Sequence, residues 1–195
     1  MSGDTENHRL RLIKKTKNRK EIVNMATSDR YPVTQKYLMT RAQALSFPAN
    51  FFEMKFGKKD VYGVVIDMPM PGNILTTMVC FINGAANLYF NNGGEYVGAS
   101  QKYRSLVQAA NALVVNAAQI IPKATKTKQF DLPKGRTQFV YLLTKNGTYK
   151  VEFQPGLIPE TEPEKRTLYV LYQRVLAELR NCQLRDDMEA RKANK

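Results

Sequence analysis

The runs of apolar residues in the middle of the chain have the spacing of buried β-strands. Residues 61–68 and 74–82 are apolar at both even and odd positions, and such runs predict strands that are covered on both faces. The segment 69–73 between them, rich in proline and glycine, predicts a turn, as does the pair 83–84 after the second run. A further strand is expected at 88–90, so this part of the chain should form an antiparallel meander.

A hairpin is predicted later in the chain, where apolar and polar residues alternate. Residues 137–144 carry their aromatic and aliphatic side chains on one face, and the segment 149–153 alternates in the same way. The Asn-Gly pair at 146–147 favours a turn whose twist matches that of paired strands. Another tight connection, 91–94, consists of two asparagines and two glycines and is expected to lead into a strand at 95–97.

The first helix is expected directly after Tyr31-Pro32, because proline disfavours helix at the residue before it. Thr34 is the expected N-cap, and Pro48 is the expected stop. Five residues share one side of this helix: Tyr37, Leu38, Arg41, Ala42 and Leu45. Apolar residues on one side at this spacing indicate a helix that packs against a core.

Two longer helices are predicted from apolar residues that recur at intervals of three and four. The clearest covers residues 103–121 for five turns, with Ser100 as the expected cap and Pro122 as the stop. The last helix is expected to open at 161–164, a segment that resembles a capping box. Past Leu184 the chain is polar, and we expect the helix to fray there.

The order of these elements predicts the fold class. A helix, three or four antiparallel strands, a long helix, a two-strand hairpin and another long helix indicate an α+β domain with a single antiparallel sheet of five or so strands flanked by helices. This element order resembles that of the profilin, longin and roadblock group of small domains. The expected divisions are a basic N-terminal arm at 1–30, the α+β domain at 31–185 and a polar C-terminal tail at 186–195.

Positive charge is concentrated outside the predicted sheet. The chain has 30 Lys and Arg against 17 Asp and Glu, a formal net charge of +13. Residues 1–22 carry a surplus of four positive charges, residues 36–60 a surplus of three and residues 122–136 a surplus of four, whereas residues 61–121 are neutral. We therefore expect an uncharged core with basic edges.

Composition narrows the class of protein. Apolar residues make up 43% of the chain, enough to bury a core. Cys80 and Cys182 fit neither a disulfide framework nor a zinc site, so we expect a reducing, cytoplasmic setting. A polar start predicts that there is no signal peptide, and no apolar run has the length of a membrane span. With His8 as the only histidine, any mechanism that needs two is excluded.

The glycine-rich segment 93–100 partly matches a phosphate-binding loop. Gly93, Gly98 and Ser100 have the spacing of that motif, but Ala99 stands where the lysine that contacts the β- and γ-phosphates is required. Glycines at a tight turn need no ligand. We therefore interpret the segment as a hairpin turn followed by a helix start and reject the phosphate-loop hypothesis.

The remaining reactive side chains favour structural roles. Cys80 lies within a predicted strand and should behave as a small buried apolar residue, as should Cys182 on the apolar side of the last helix. Asp67 interrupts an apolar strand and is expected to pair with a basic neighbour or a turn amide. A small enzyme using Asp67 and Glu95 as acid and base is the least favoured hypothesis. No metal ion and no cofactor are predicted.

The basic segments give the strongest functional indication. Twelve cations are candidates for binding an anion: Arg9, Arg11, Lys14, Lys15, Lys17, Arg19, Lys20, Lys123, Lys126, Lys128, Lys134 and Arg136. They lie in the N-terminal arm and in the segment 123–136, hereafter the basic loop, and contact with phosphates would make binding depend on salt. No nucleic-acid-binding signature accompanies them.

The main functional hypothesis is a non-enzymatic binding module that recognises nucleic acid or an acidic protein. A membrane surface is disfavoured, because the arm has no aromatic residue and only a narrow apolar side. The alternative is a protein-interaction scaffold of the longin or roadblock kind, which would use the sheet edge or the long helices in a homodimer or with another subunit. Exposed apolar residues on one face of residues 106–121 would favour that alternative.

Overall fold

The computed structural model describes residues 31–193. Within this range there are three α-helices: α1 (Gln35–Leu45), α2 (Arg104–Asn116) and α3 (Pro163–Ala193). Three 3-10 segments accompany them: Ala49–Phe51, Ala99–Gln101 and Ala117–Lys123. The strands are β1 (Val61–Met70), β2 (Ile74–Phe81), β3 (Ala86–Phe90), β4 (Glu95–Tyr96), β5 (Thr125–Thr127), β6 (Gln138–Thr144) and β7 (Gly147–Phe153).

The strands form one antiparallel sheet in the order β4-β3-β2-β1-β6-β7-β5. The α+β class with a single antiparallel sheet is confirmed, but within residues 31–193 the sheet has seven strands and not five or so. The strand that was not predicted is β5, which lies inside the basic loop. Its Thr-Lys-Thr sequence has no apolar face to predict a strand, and among residues 31–193 it pairs with β7 alone, at the edge of the sheet.

Both faces of the sheet are covered, as the apolar runs predicted. One face packs against α2 and α3 through a large apolar core that includes Val64, Cys80, Leu113 and Tyr172. The other face packs against α1, the segment that follows it and the basic loop. Its buried residues are largely aromatic and include Phe52, Tyr62, Phe81, Phe139 and Tyr141.

The turn between β2 and β3 fixes the sheet against α2. Gly84 has φ +82°, a left-handed conformation that side chains other than glycine rarely adopt. A Cβ atom there would lie 2.4 Å from Cγ1 of Val107 on α2. Glycine is therefore required both by the backbone conformation and by the close approach of the helix.

The long helix begins later and ends earlier than its apolar pattern predicted. The segment Ala99–Gln101 is a separate 3-10 turn, and α2 begins only at Arg104. The Ser100 hydroxyl does not cap the helix; it accepts a hydrogen bond from the Ala86 amide at 2.9 Å. After Asn116 the chain tightens into a 3-10 helix that contains Pro122. The glycine turn thus does not run directly into a helix N-terminus, as a phosphate loop would require.

The stretch Arg104–Lys123 is, by length and composition, apolar enough to cross a membrane. The core helix of a globular domain passes the same test. Here Leu106, Leu113 and Val114 are fully buried between the sheet and α3, so packing inside the domain accounts for the apolar character.

The last helix extends well past the point where we expected it to fray. It continues to Ala193, so residues 186–193, expected as a polar tail, are helical. The cause is Asp186, whose carboxylate accepts hydrogen bonds from Tyr96, Lys102 and Tyr103, each at 2.7 Å. Hydrogen bonds from Lys102, Tyr96 and Tyr103 lower the pKa of Asp186 to about 2. A helical end that is polar in sequence is thus held to the rest of the domain by hydrogen bonds.

Candidate polyanion-binding surface

A buried ion pair lies beneath the basic loop. Arg41 on α1 and Asp67 on β1 have side chains only 1% and 0% exposed, and Nη2 of Arg41 lies 2.6 Å from Oδ2 of Asp67. Nε of Arg41 donates to the same carboxylate at 2.9 Å. The expectation that Asp67 pairs with a basic residue is confirmed, and its partner is 26 residues away in sequence.

The other polar groups around this pair are also satisfied. The Thr77 hydroxyl donates to Oδ1 of Asp67 at 2.6 Å, and Tyr37 and Thr77 share a hydrogen bond of 2.7 Å. Burial raises the pKa of Tyr37 and of Tyr141 above the usual range. Burial alone would lower the pKa of Arg41, but the adjacent Asp67 carboxylate outweighs it and raises that pKa. The Arg41 guanidinium is thus held in its charged form, and the Asp67 carboxylate accepts hydrogen bonds from Arg41 and Thr77.

This network does not provide an acid and a base for catalysis. Both oxygens of Asp67 are engaged, and the side chain has no exposed area. Glu95 lies on β4 and forms an ion pair with Lys36 at 3.1 Å. Two strands separate β4 from β1, which corresponds to about 14 Å between the strands that carry the two carboxylates. The structure does not bring Asp67 and Glu95 together.

The same arginine fixes the basic loop from below. Nη1 of Arg41 donates to the carbonyl oxygen of Phe130 at 2.8 Å, and Nη2 donates to that of Asp131 at 3.1 Å. The Tyr141 hydroxyl also donates to the Asp131 carbonyl, at 3.1 Å. Leu132, the next residue, is buried with Tyr37. The middle of the basic loop is therefore anchored to α1 and the sheet, although its basic residues are exposed.

One predicted cation, Lys123, is neutralised within the domain. It lines a cavity of about 400 Å³ at the β5–β7 edge together with Lys150 and Lys165, which the sequence did not single out. Each of these lysines has its own carboxylate: Lys123 pairs with Glu164 at 2.7 Å, Lys150 with Glu152 at 2.8 Å and Lys165 with Glu162 at 2.9 Å. Because these carboxylates neutralise the lysines, the cavity should attract an anion only weakly.

The other four predicted cations of the basic loop, Lys126, Lys128, Lys134 and Arg136, are exposed. None of them has a carboxylate of residues 31–193 within ion-pair distance. Nζ of Lys126 on β5 reaches Oδ1 of Asn146 in the β6–β7 turn at 3.3 Å. The same turn carries Lys145, an exposed cation that sequence analysis missed.

The remaining predicted cations, from Arg9 to Lys20, lie outside the described residues, as does His8. That the arm and the basic loop act together is therefore a proposal. Lys126, Lys128, Lys134, Arg136 and Lys145 are the part of the candidate surface that the structure describes.

The cysteines have the structural roles that the sequence predicted. Cys80 is fully buried, and burial raises the pKa of its thiol to about 12. Cys182 is buried in the same core, and burial raises its pKa as well. Between Tyr31 and Ala193, no three His, Cys, Asp or Glu side chains are grouped so that they could hold a metal ion.

The long helices leave little apolar surface between residues 106 and 121. Val115, at 62%, is the one large apolar side chain in that range that is exposed. On α3, Val170, Leu184 and Met188 are exposed. Exposed apolar residues on residues 106–121, which would have favoured the scaffold, are thus limited to Val115, and the other large exposed apolar residues of the two long helices lie on α3.

Comparisons with protein-family models, with curated proteins and with solved structures found no significant match to this chain.

Proposed function

We propose that this protein is a non-enzymatic binding module that recognises a polyanion, namely nucleic acid, through its basic loop and N-terminal arm. The observation that supports the proposal is that the basic loop presents exposed, unpaired cations on an anchored backbone. Lys126, Lys128, Lys134 and Arg136 have no internal carboxylate partner among the described residues, while the backbone beneath them is anchored by Arg41.

An anchored loop favours binding for a physical reason. Ordering a flexible segment on binding costs conformational free energy, and a segment that is already ordered loses less. Cations without internal partners can also contact phosphates without first breaking an ion pair. Because each contact with a phosphate releases counterions, the affinity should fall steeply as salt rises.

The proposal is tested by removing charge from the basic loop in the full chain. In a variant with Lys126, Lys128, Lys134 and Arg136 all replaced by Gln, we expect weaker binding to a labelled oligonucleotide and a shallower salt dependence. Each lost phosphate contact lowers the slope of log K against log salt by about 0.7 to 0.9. Fluorescence anisotropy over a salt series measures both.

A control variant removes the same number of exposed cations from α3, with Arg166, Arg174, Arg180 and Arg191 replaced by Gln. If the two variants lose equal affinity, only net charge matters and the loop is not the binding surface. If the full chain binds an acidic polypeptide but no oligonucleotide at low salt, the partner is an acidic protein.

A scaffold related in fold to the profilin, longin and roadblock group is the second candidate function. It is favoured by the apolar residues on the outside of α3, where Val170 and Leu184 are 14 positions apart and so lie on the same side of the helix, with Met188 one turn further. This stripe would suit a second copy of the chain. A doubled mass in light scattering would favour the scaffold, and a monomer at high concentration would count against it.

A further inference from the structure

One aromatic side chain stands out on the surface of the domain. Phe51 is 65% exposed, and among residues 31–193 it is the one Phe or Tyr in the exposed class. Met54, three residues later, is 56% exposed. Aromatic residues and Met are enriched at interfaces, so this exposed pair is a candidate contact for a partner.

The Phe51 ring is held in place although it is exposed. It ends the 3-10 segment Ala49–Phe51 and packs nearly perpendicular to two neighbouring rings. Its centroid lies 4.9 Å from that of Phe47, at 74°, and 5.6 Å from that of Phe52, at 88°. Phe52 is buried in the aromatic core, so the exposed ring is attached to a rigid base.

Unpaired lysines surround this aromatic segment. Lys55, Lys58 and Lys59 follow Phe51 within eight residues, and Nζ of Lys145 lies 6.0 Å from the ring centroid of Phe56. No carboxylate of residues 31–193 forms an ion pair with any of these four lysines. The same segment also carries the exposed carboxylates Glu53 and Asp60. Four lysines against two carboxylates leave a surplus of two positive charges, which favours an anionic occupant.

The aromatic segment and the basic loop meet at the β6–β7 turn. Lys145 lies over Phe56 on one side of this turn, and Lys126 of β5 bonds to Asn146 on the other. Phe56 in turn contacts Phe52, at 6.3 Å between centroids. The cationic strip next to the exposed ring therefore consists of Lys55, Lys58, Lys59 and Lys145 and ends at this turn. Lys126 belongs to the other face of the sheet, because it pairs with Tyr149, which packs against the core under α2 and α3.

We infer that this strip binds single-stranded nucleic acid, with a base stacked on Phe51 and the phosphates along the lysines. The inference rests on the proposed function and adds the class of nucleic acid. Aromatic rings stack on any unpaired base, whereas the bases of a duplex are already stacked on each other. Asn50, which directly precedes Phe51, is exposed, and its amide can bond to a base edge. An anionic membrane would use the apolar residues but not this amide.

The chain contains no tryptophan, so Phe51→Trp in the full chain provides a single fluorescent reporter at the site. A base stacked on the indole quenches its emission. We expect quenching by a single-stranded oligothymidine at low salt and little change with a duplex of the same length. A blue shift with vesicles of phosphatidylserine and phosphatidylcholine, without quenching by the oligonucleotide, would overturn the inference in favour of a membrane surface.

A second variant tests the energetic role of the ring. Phe51→Ala should weaken binding of the single strand by about 5- to 100-fold and leave duplex binding nearly unchanged. Leu157→Ala is the control, because Leu157 is 71% exposed and lies elsewhere on the surface; we expect no change. Thermal melts of both variants show whether the fold is kept, and the Phe51→Trp protein answers the question if Phe51→Ala does not fold.

The outcomes separate the two proposals. If the full chain binds no oligonucleotide at low salt, the proposed function fails and the inference fails with it. If it binds single strands and duplexes equally, and Phe51→Ala changes neither, the proposed function stands and the inference is wrong. Selective loss of single-strand binding in Phe51→Ala supports both.

Discussion

The buried pair of Arg41 and Asp67 shows how a charge can be tolerated in the core of this domain. Removing two ions from water is costly, and the pair is retained only where hydrogen bonds satisfy every remaining donor and acceptor. Here the guanidinium also donates to the Phe130 and Asp131 carbonyls, and Thr77 donates to the carboxylate. The energetic role of the pair is thus inseparable from its role in anchoring the basic loop.

At the residue scale we predict that Asp67→Asn destabilises the domain by about 3 to 5 kcal/mol, because it leaves the Arg41 charge buried without a counterion. Urea denaturation of the two proteins measures the difference. Replacing both partners with Arg41→Met and Asp67→Leu should cost less than the sum of the two single changes. The exposed Glu53→Gln should change stability by no more than about 0.5 kcal/mol. A loss below about 1 kcal/mol in Asp67→Asn would contradict the prediction.

The two members of this pair could be recognised in the sequence, but not the fact that they pair. Asp67 is a lone charge in an apolar strand, and Arg41 shares the core-facing side of α1 with Tyr37 and Leu45. Two opposite charges in positions that are otherwise apolar indicate a buried pair in principle. Their pairing could not be predicted, because the sequence does not say which strand α1 crosses.

At the scale of elements, the C-terminal half of α3 depends on contacts with a distant segment. The polar composition past Leu184 predicted fraying, since an isolated helix end without apolar contacts is unstable. Composition does not reveal the hydrogen bonds that Asp186 accepts from Tyr96, Lys102 and Tyr103. All three donors lie more than 80 residues earlier in the sequence. The strand β5 was missed for a related reason, because its partner β7 and not its own pattern makes it a strand.

We predict that Asp186→Asn loosens this end of α3. The pKa of Asp186 is lowered from its usual 3.8 to about 2, so its contribution to stability is complete above about pH 4 and is lost as the pH falls through about 2. Hydrogen exchange should show weaker protection of the amides of residues 186–193 in the variant at neutral pH. Between pH 4 and pH 2 the wild type should approach the variant.

The neighbouring substitution Asp187→Asn serves as the control for this experiment. Asp187 is exposed and carries the same charge on the same turn of α3. Equal loss of protection in both variants would mean that Asp186 has no special role and that helix charge alone holds the end.

At the scale of the whole molecule, the segments that carry the surplus positive charge differ from the neutral segment 61–121, which supplies the centre of the sheet. The described apolar cores are built from residues between Tyr31 and Cys182, and 8 of the 30 Lys and Arg precede them. The sequence predicted this division, the fold class and the hairpin at residues 137–153. It could not predict which lysines are internally paired, because Lys123 and Lys126 look alike in sequence and only the fold gives one of them a carboxylate.

We predict that deleting residues 1–20 weakens oligonucleotide binding and leaves the melting temperature nearly unchanged. The deletion removes seven cations and leaves every core residue that the structure describes in place. Anisotropy and a thermal melt measure the two quantities. A full-length variant with those seven cations replaced by Gln should match the deletion; unchanged retention on heparin without the arm would show that the arm takes no part in binding.

The short edge strand β5 has a consequence for how this protein behaves in concentrated solution. An open sheet edge can recruit strands from other molecules and start fibrils, and a lysine on a very short edge strand hinders that addition. Lys126 is such a residue, so the side chain that is proposed to contact a phosphate also hinders edge-to-edge association of the sheet with other molecules. Evolution could then exchange Lys126 for arginine more readily than for a neutral residue, since a neutral side chain would sacrifice colloidal solubility along with recognition.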